Sequence, residues 1–583
     1  MAKGHAGGGG GGNLYFEIAN FQSGMDLRKS ALTAPAGTLR MLQNADISQG
    51  GEIEKRPAFQ YWCDAPAGTL GLCSLNNQAF AHVQSGTAGS ITPPTTSAVG
   101  VIHLGAPHGP IYLSGSISDG TGTTTAAAGT VFKVASISPA AVMPIGTAIQ
   151  GTGVLAGTVI TDNSGAITTG GATGTGTYAV NLSQLSFPSG AVGAAVAGVT
   201  LTVQTDFDVF NGMIYATFLA SNGSYYHYYN GVQVVQGTNR GSNIRTYKNK
   251  MYGVQGRNLF FSANGDPTIW VNPSPDNSGN VARNLSGFIN IGANDADSEN
   301  LISMEVYYDK LAIFSSLSCQ LWFLDPDPNL NQYYQTLRDA GTLAANSVRQ
   351  YVANDVYFLG THGIRSLRAR DLTNTAAVAD VGSPLDPVIQ DLISLSTAAY
   401  VQQAIALLSP RTGRIWMIFT DKIYVLSNWA SPNISAWSMY IPEFGIARQG
   451  AVFADPYVVM LTTDGRIFRF GSPGGLVYDS CPVSFTTPFL SFDKPATFKF
   501  YQGFDAICSN DPGSTWNVQA SFDPTQTPTP FDQICVLDGP TIMDGRIPIS
   551  GRGTHIQLQI THQAPGPATF SKLFVHYAPS DTG

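Results

Sequence analysis

Residues 509–516 read SNDPGSTW, an S-x-D-x-G-x-T-W pattern that combines Ser509, Asp511, Gly513 and Trp516. Asp, Pro and Gly in this order are turn formers. A second group, Glu52, Glu54, Lys55 and Arg56, places four charges within five residues of NADISQGGEIEKRPAF (44–59), although the chain as a whole is only 12% charged. Elsewhere, HLGAPH holds His103 and His108 in a Gly-Pro loop with no third ligand evident. DPDPNLN (325–331) offers oxygens at alternate positions but lacks the glycine and glutamate of an EF-hand, and NDADSEN (294–300) also clusters carboxylates; either could bind a structural cation, with a solvated acidic turn the favoured reading. No phosphate loop, HExxH, GxSxG or dinucleotide fingerprint occurs, so no catalytic, cofactor-binding or metal residues are assigned.

The 509–516 pattern resembles the Asp box of sialidases and other propeller glycosidases, which implies a glycan-binding or glycan-cleaving propeller as one reading. The resemblance implies that Asp511 hydrogen-bonds turn amides, that Gly513 supplies a permissive backbone and that Trp516 packs beneath, in a turn that stabilises a hairpin and does no catalysis. Against the glycan reading, the box occurs once, where a sialidase repeats it. No spacing groups Arg365, Arg368, Arg414 and Tyr424 into an arginine cluster beside a Tyr/Glu pair. An enzyme of this kind should also concentrate buried charge at the propeller centre. The tyrosine run SYYHYYNG (224–231) could serve as a stacking platform for sugar or as a strand packed on both sides. Alternation puts Tyr225 and His227 on one face, Tyr226 and Tyr228 on the other.

The elements that must position these residues are strands. The chain has 583 residues with 64 glycines and 34 prolines, and 43% of it is hydrophobic, enough to bury sizeable cores. Abundant Thr, Val and aromatics with scarce Lys and Glu favour short strands and tight turns. A net charge of −8 argues against a protein that grips phosphates through a basic face. The six cysteines form no CxxC pair and are not a disulfide framework, although Cys508 and Cys535 share one β region. No apolar run approaches the roughly 18 residues needed to span a bilayer, and the first residues lack the pattern of a secretory signal.

One layout recurs: an apolar strand, a turn residue, and a second apolar strand rich in Tyr, Phe or Met. DVFNGMIYATF (208–218), RTYKNKMYGV (245–254), MEVYYDKLAIF (304–314), QYVANDVYFLG (350–360), LSPRTGRIWMIF (408–419) and AVFADPYVVML (451–461) share it, and LCSLNNQAFAHV (72–83) is a partial first copy. The spacing suits six or seven four-stranded propeller blades. The expectation is therefore a mostly β chain with a β-propeller core, an inserted small β domain and a C-terminal β-sandwich-like domain. Its parts are a flexible glycine-rich arm (1–12), an N-terminal assembly segment (13–60), a partial first blade (61–115), a Gly/Thr-rich insertion (116–205), the remaining blades (206–480) and the C-terminal domain (481–583). The only convincing helical spacing is PLDPVIQDLISLS (384–396), with Leu385, Val388, Ile389, Leu392 and Ile393 on one stripe.

The segment FQSGMDLRKSALTAPAGTLRMLQNADISQGGEIEKRPAF (21–59) resembles the start of tail nozzle or tail-hub (tail tubular) proteins of short-tailed bacteriophages. The matching residues are Gly24, Asp26, Arg28, Asn44, Gly50, Gly51, Lys55, Arg56 and Pro57. The resemblance covers about sixty residues. It implies a structural, non-enzymatic protein of the virion tail, without cofactors or stable membrane insertion. It further implies a homohexameric ring below the portal and adaptor, a central channel for double-stranded DNA during ejection, and docking sites for tail fibres or spikes. An acidic or neutral lumen would let DNA slide. In this setting Glu52, Glu54, Lys55 and Arg56 are expected to act in assembly, as a clasp between subunits or between the N-terminal segment and the propeller. In an extended strand Glu52, Glu54 and Arg56 point one way and Ile53 and Lys55 the other.

Overall fold

The computed structural model describes residues 14–65, 68–84, 201–220, 223–230, 241–270, 286–294, 299–351, 355–373, 380–429, 433–471, 477–522, 524–525, 531–541 and 546–579. It also describes the strand backbones at 4–5, 99–103, 112–117, 129–138, 160–166, 176–184 and 232–235.

Each of the seven recurring hairpins is antiparallel and forms the first two strands of a different sheet. Turn chemistry explains the tightness. Asn76 and Asn77 both take positive φ, as do Asn211 with Gly212 and Lys248 with Asn249, the geometry that a two-residue hairpin with matched twist requires. Further strands complete each unit. Blade 1 is Thr69–Leu75, Gln78–Gln84 and Val99–His103. Blade 2 begins at Leu201–Phe210, blade 3 at Asn243–Tyr247, blade 4 at Ser303–Tyr307, blade 5 at Arg349–Tyr351, blade 6 at Ile405–Ser409 and blade 7 at Ile446–Ala454.

The first strand of each blade packs against the first strand of the next, and the strand of blade 7 packs against that of blade 1. This closes a seven-bladed propeller. Between blades lie apolar cores: Tyr252, Leu259, Leu311 and Trp322 join blades 3 and 4, and Trp416, Val425, Met460 and Phe470 join blades 6 and 7. No blade could bury both faces alone, so the ring is the smallest stable unit.

Blade 7 obtains its fourth strand from far away. Phe59–Asp64 pairs antiparallel with Arg466–Phe470, so residues placed by sequence reading at the start of the first blade belong to the last. Other N-terminal strands enter the C-terminal sandwich. One sheet holds Leu14–Ile18, Ala568–Pro579, Lys499–Asn510 and Ile547–Gly553, with Ile53–Lys55 and Ala45–Ile47 attached. The other runs from Met41–Gln43 through Val483–Thr486, Gln557–His562 and Trp516–Ser521 to Asp532–Leu537. Met41–Gln43 also pairs in parallel with Ile434–Tyr440, the outer strand of blade 6, so one sheet runs from the propeller into the sandwich. Segments 13–60 and 481–583, read from sequence as separate parts, thus share both sandwich sheets.

The insertion contributes a four-stranded antiparallel sheet from Tyr112–Ile117, Gly129–Ser138, Gly176–Gln184 and Ile160–Ala166. The expected helix forms at Asp386–Leu395, with Leu385, Ile389 and Leu392 buried. Two shorter helices, Leu367–Thr373 and Ala398–Gln402, are too brief to show a helical period in sequence. Among the described residues no helix is long and apolar enough to cross a membrane.

Candidate functional site

At the propeller axis the first strands of all seven blades surround a cavity of 390 Å³. Its wall is divided. Blades 2 to 5 supply Asp208, Arg245, Glu305 and Arg349, while blades 6 and 7 supply Ile405, Leu407, Val452 and Phe453. Behind the wall Asp206 is fully buried. Arg245 ties three blades together: its Nη1 lies 2.7 Å from Asp206 Oδ2 and its Nε 3.0 Å from Glu305 Oε2. Asp206 also accepts the amides of Phe207 at 2.9 Å and Ile244 at 3.0 Å. Asp208 accepts the amides of Val209 and Thr246 at 2.8 and 2.5 Å. Arg349 stands farther off, 3.7 Å from Asp206 and 3.9 Å from Glu305, beyond hydrogen-bond reach.

Burial alone would discharge these groups, and their neighbours decide the outcome. For Arg245 burial disfavours the cation, but Asp206, Glu305 and Asp208 outweigh it and hold its pKa above the ordinary arginine value. Arg349 is lowered, by burial first and then by Arg245 beside it. Burial raises the Asp208 carboxyl, with Arg245 offsetting part of the rise. Sequence reading missed this cluster, although a signal exists. Asp208, Arg245, Glu305 and Arg349 each stand three residues before the hairpin turn at the equivalent place in four successive repeats.

The charged stretch 52–56 lies at the junction of propeller and sandwich. Glu54 pairs with Asp46 and Thr569 across two strands, and Glu52 Oε1 accepts from Ser571 Oγ at 2.6 Å. Burial raises the Glu54 carboxyl, partly countered by Arg414. Lys55 is 3% exposed, and its Nζ donates to the carbonyls of Asp479, at 2.6 Å, and Ala564. Arg56 is 1% exposed. It donates to Asn44 Oδ1 at 3.1 Å, Pro57 O at 2.8 Å and Asp479 Oδ2 at 3.0 Å, and lies 4.5 Å over the Phe59 ring. Asp479 is lifted by burial but ends below the usual carboxylate range because of Arg56 and the hydrogen bonds of Cys481. Nearby, the buried Asp46 takes Arg414 at 3.0 Å and the Tyr440 hydroxyl at 2.5 Å.

The expectation is a clasp between subunits or between the N-terminal segment and the propeller; within this chain Lys55 and Arg56 are buried and bonded to Asn44, Pro57, Asp479 and Ala564. The expected alternation holds for Glu52 and Glu54 against Ile53 and Lys55, but Arg56 is buried because the strand has ended and the chain turns toward blade 7. Gly24 belongs to the same junction. At φ +54 a Cβ would stand 2.8 Å from the carbonyl oxygen of Trp437, so only glycine fits. Asp26 and Arg28 pair with each other at 2.6 Å on the surface.

The SNDPGSTW turn links the two sandwich sheets. Gly513 takes φ +85 and Trp516 is fully buried against Phe485, Phe570 and His562. Asp511 acts differently from expectation. Its main-chain oxygen accepts from Ser514 N at 3.0 Å and Ser514 Oγ at 2.7 Å, while its carboxylate lies over Gly566. The side chain that braces the turn is Asn510, whose Nδ2 donates to Ser514 O at 2.6 Å. Ser509 sits in the preceding strand.

Other candidates separate. Tyr226 and Tyr228 enter the core between blades 1 and 2, and His227 faces the opposite side, bonded to Tyr215 and Gly241, so the strand is packed on both faces. Arg365 pairs with Asp386 at 2.7 Å and Arg414 with Asp46, while Tyr424 lies in the main core, so no sialidase-like arginine group forms from them. Asp325 and Asp327 are engaged in local turns with the amides of Asp327 and Asn329. Among the described residues no group of three or more His, Cys, Asp or Glu is arranged to hold a metal. Cys508 and Cys535 are free thiols. His108, most of 294–300 and nearly all of the glycine-rich arm lie outside the described residues, as does the side chain of His103.

No family model matches the chain, and no curated protein matches it. Among solved structures it is similar to the β-propeller domain of Myceliophteria thermophila Cps50 (Swd1), at 10% identity and TM-score 0.26, over 47% of this chain and 99% of that one. It is also similar to the AfRom2 CNH domain, at 8% identity and TM-score 0.27, over 50% and 95%. Kluyvelomyces marxianus Hsv2 is similar at 8% identity and TM-score 0.26, over 49% and 93%. Scores this low carry no argument; the propeller is established by its own closed ring of blades.

Proposed function

We propose that this chain is a structural subunit of a tail nozzle or hub ring of the kind found in short-tailed bacteriophages. In this reading it joins copies of itself, as a hexamer, below a portal or adaptor ring, passes duplex DNA through the centre of the assembly and docks tail fibres or spikes. The observation that carries the proposal is the path of residues 14–64. The segment that bears the resemblance supplies strands to both sandwich sheets and the closing strand of blade 7, binding propeller and sandwich into one body. Such a body suits a ring that must keep its shape under the passage of DNA.

The axial cavity does not serve as the conduit. At 390 Å³ it has the size of a small-molecule site, for which about 300–1,000 Å³ is usual, and a duplex needs an opening between copies. Contacts between copies must also come from groups other than Lys55 and Arg56. The outer strand of blade 4, Gln332–Arg338, exposes Tyr333 and Tyr334 along an edge that pairs with no further strand among the described residues. Such edges recruit partners.

Light scattering and electron microscopy of the purified chain test the reading. A sixfold ring with an open centre is expected, with Tyr333→Lys/Tyr334→Lys reducing ring formation at unchanged melting temperature. A chain that stays monomeric at tens of micromolar would remove the proposal. A second reading, a small-molecule site at the axis, is favoured by the buried charge gathered there.

A further inference from the structure

We infer that the axial cavity binds a neutral polyhydroxy ligand, a monosaccharide or polyol held between the charged arc of blades 2 to 5 and the apolar arc of blades 6 and 7. The inference rests on the second reading above and names the ligand class of that site.

Three observations carry it. The first is space: the cavity measures 390 Å³ and every blade contributes to its wall. The second is an available donor. Arg349, a quarter exposed on the wall, stands only at ion-pair distance from Asp206 and Glu305, so its guanidinium can donate to an acceptor in the cavity. Arg245 holds this arc in place: its Nη1 and Nε are committed to Asp206 and Glu305, and its Nη2 is buried behind the wall without a hydrogen-bond partner.

The third observation is the balance of charge. The lining contains two carboxylates, Asp208 and Glu305, and two guanidinium groups, Arg245 and Arg349. An anionic ligand would meet Asp208 and Glu305, and Asp206 behind them. A cation would meet Arg245 and Arg349. A wholly apolar ligand would leave the Arg349 donors unmet. A hydroxyl both donates and accepts, so one ligand with several hydroxyls can satisfy arginine and carboxylate together. The opposite wall, with the partly exposed Leu407 and Phe453, offers an apolar surface to the C–H face of a ring. Specificity then arises from the mismatch each charged analogue would suffer.

Saturation-transfer NMR on the full chain tests this with D-glucose, D-glucuronate and D-glucosamine at about pH 6, where the amine is protonated. The three probes share a ring and differ in charge. Glucose should bind, with the two charged analogues at least about tenfold weaker, equivalent to about 1.4 kcal/mol. Ser74→Trp, which fills the cavity from blade 1, should abolish the signal, and Arg349→Met should weaken binding about tenfold. Thermal melting checks that each variant folds; if Ser74→Trp does not, Arg349→Met decides. Preference for a charged probe would overturn the ligand class while leaving an axial site in place. Silence from all three probes would overturn both the class and the axial reading. Undiminished glucose binding in the folded variants would place the site elsewhere and overturn the inference.

Discussion

The molecule buries charge in two places and uses it differently. At the junction, Lys55 and Arg56 are spent on main-chain carbonyls, Asn44 and Asp479, and neither lines the axial cavity. At the axis, Arg245 bridges carboxylates from two other blades beside 390 Å³ of open space. An orphaned donor alone does not distinguish them, because Arg414 Nε at the junction is also without a partner. Space does. Buried charge bonded within the chain fixes two domains to each other; buried charge on the wall of a cavity leaves room for a ligand.

Breaking each site should expose the difference. The largest effect is expected from Arg245→Met, which strands the fully buried Asp206 and nearby Glu305. Denaturant unfolding should show a loss of about 3–5 kcal/mol. Restoring neutrality with Asp206→Asn and Glu305→Gln in the same chain should recover much of it. A loss below about 1 kcal/mol would mean that the cluster does not join the blades. Next comes Arg56→Ala, expected to cost about 3 kcal/mol through the lost bonds to Asn44 and Asp479 and the lost stacking on Phe59. Because Arg56 is internal, the damage should appear in a monomer's stability rather than in ring assembly alone. Wild-type unfolding of this variant would contradict the junction described.

Acid should act on both regions. Burial lowers His82, despite its bond to Gln204, and His562, with Lys55 nearby, from 6.5 to about 4. A folded pKa below the unfolded value gives stability that is present above about pH 6.5 and lost as pH falls toward 4. Each histidine should contribute about 3 kcal/mol across that window. His82→Gln should flatten the propeller's share and His562→Asn the sandwich's. A melting temperature constant from pH 7 to 4 would count against both burials. The smallest contrast lies at the SNDPGSTW turn. Asn510→Ala should cost about 1–2 kcal/mol and Asp511→Asn no more than about 0.5. The reverse order would restore the carboxylate as the brace of the turn.

Much of the propeller is legible in sequence because its signals are local. A hairpin turn such as Asn211-Gly212 and the apolar strands beside it lie within a dozen residues of one another. The stripe Leu385, Ile389 and Leu392 is equally local. What sequence hides is pairing at long range. Nothing in FQYWCD announces that Phe59–Asp64 will complete a blade whose other strands lie about 400 residues later. The axial cluster is hidden for another reason. Arg245 resembles any strand arginine until the ring sets Asp206 on one side of it and Glu305 on the other. Arg56 misleads in the opposite direction, since a charged stretch suggests a surface and here fills an interior. Asp511 shows that a motif can keep its shape while its bonds move to Asn510.

The strand exchange has a consequence for synthesis. Blade 7 is incomplete until residues 466–470 exist to meet residues 59–64, and the sandwich until 568–579 exist to meet 14–18. Residues 14–18 and 59–64 must therefore wait for partners made several hundred residues later. Such distant pairings fold slowly and leave apolar edges uncovered in the interim. A product that stops before residue 466 leaves both sets of strands unpaired and offers those edges to chaperones and proteases.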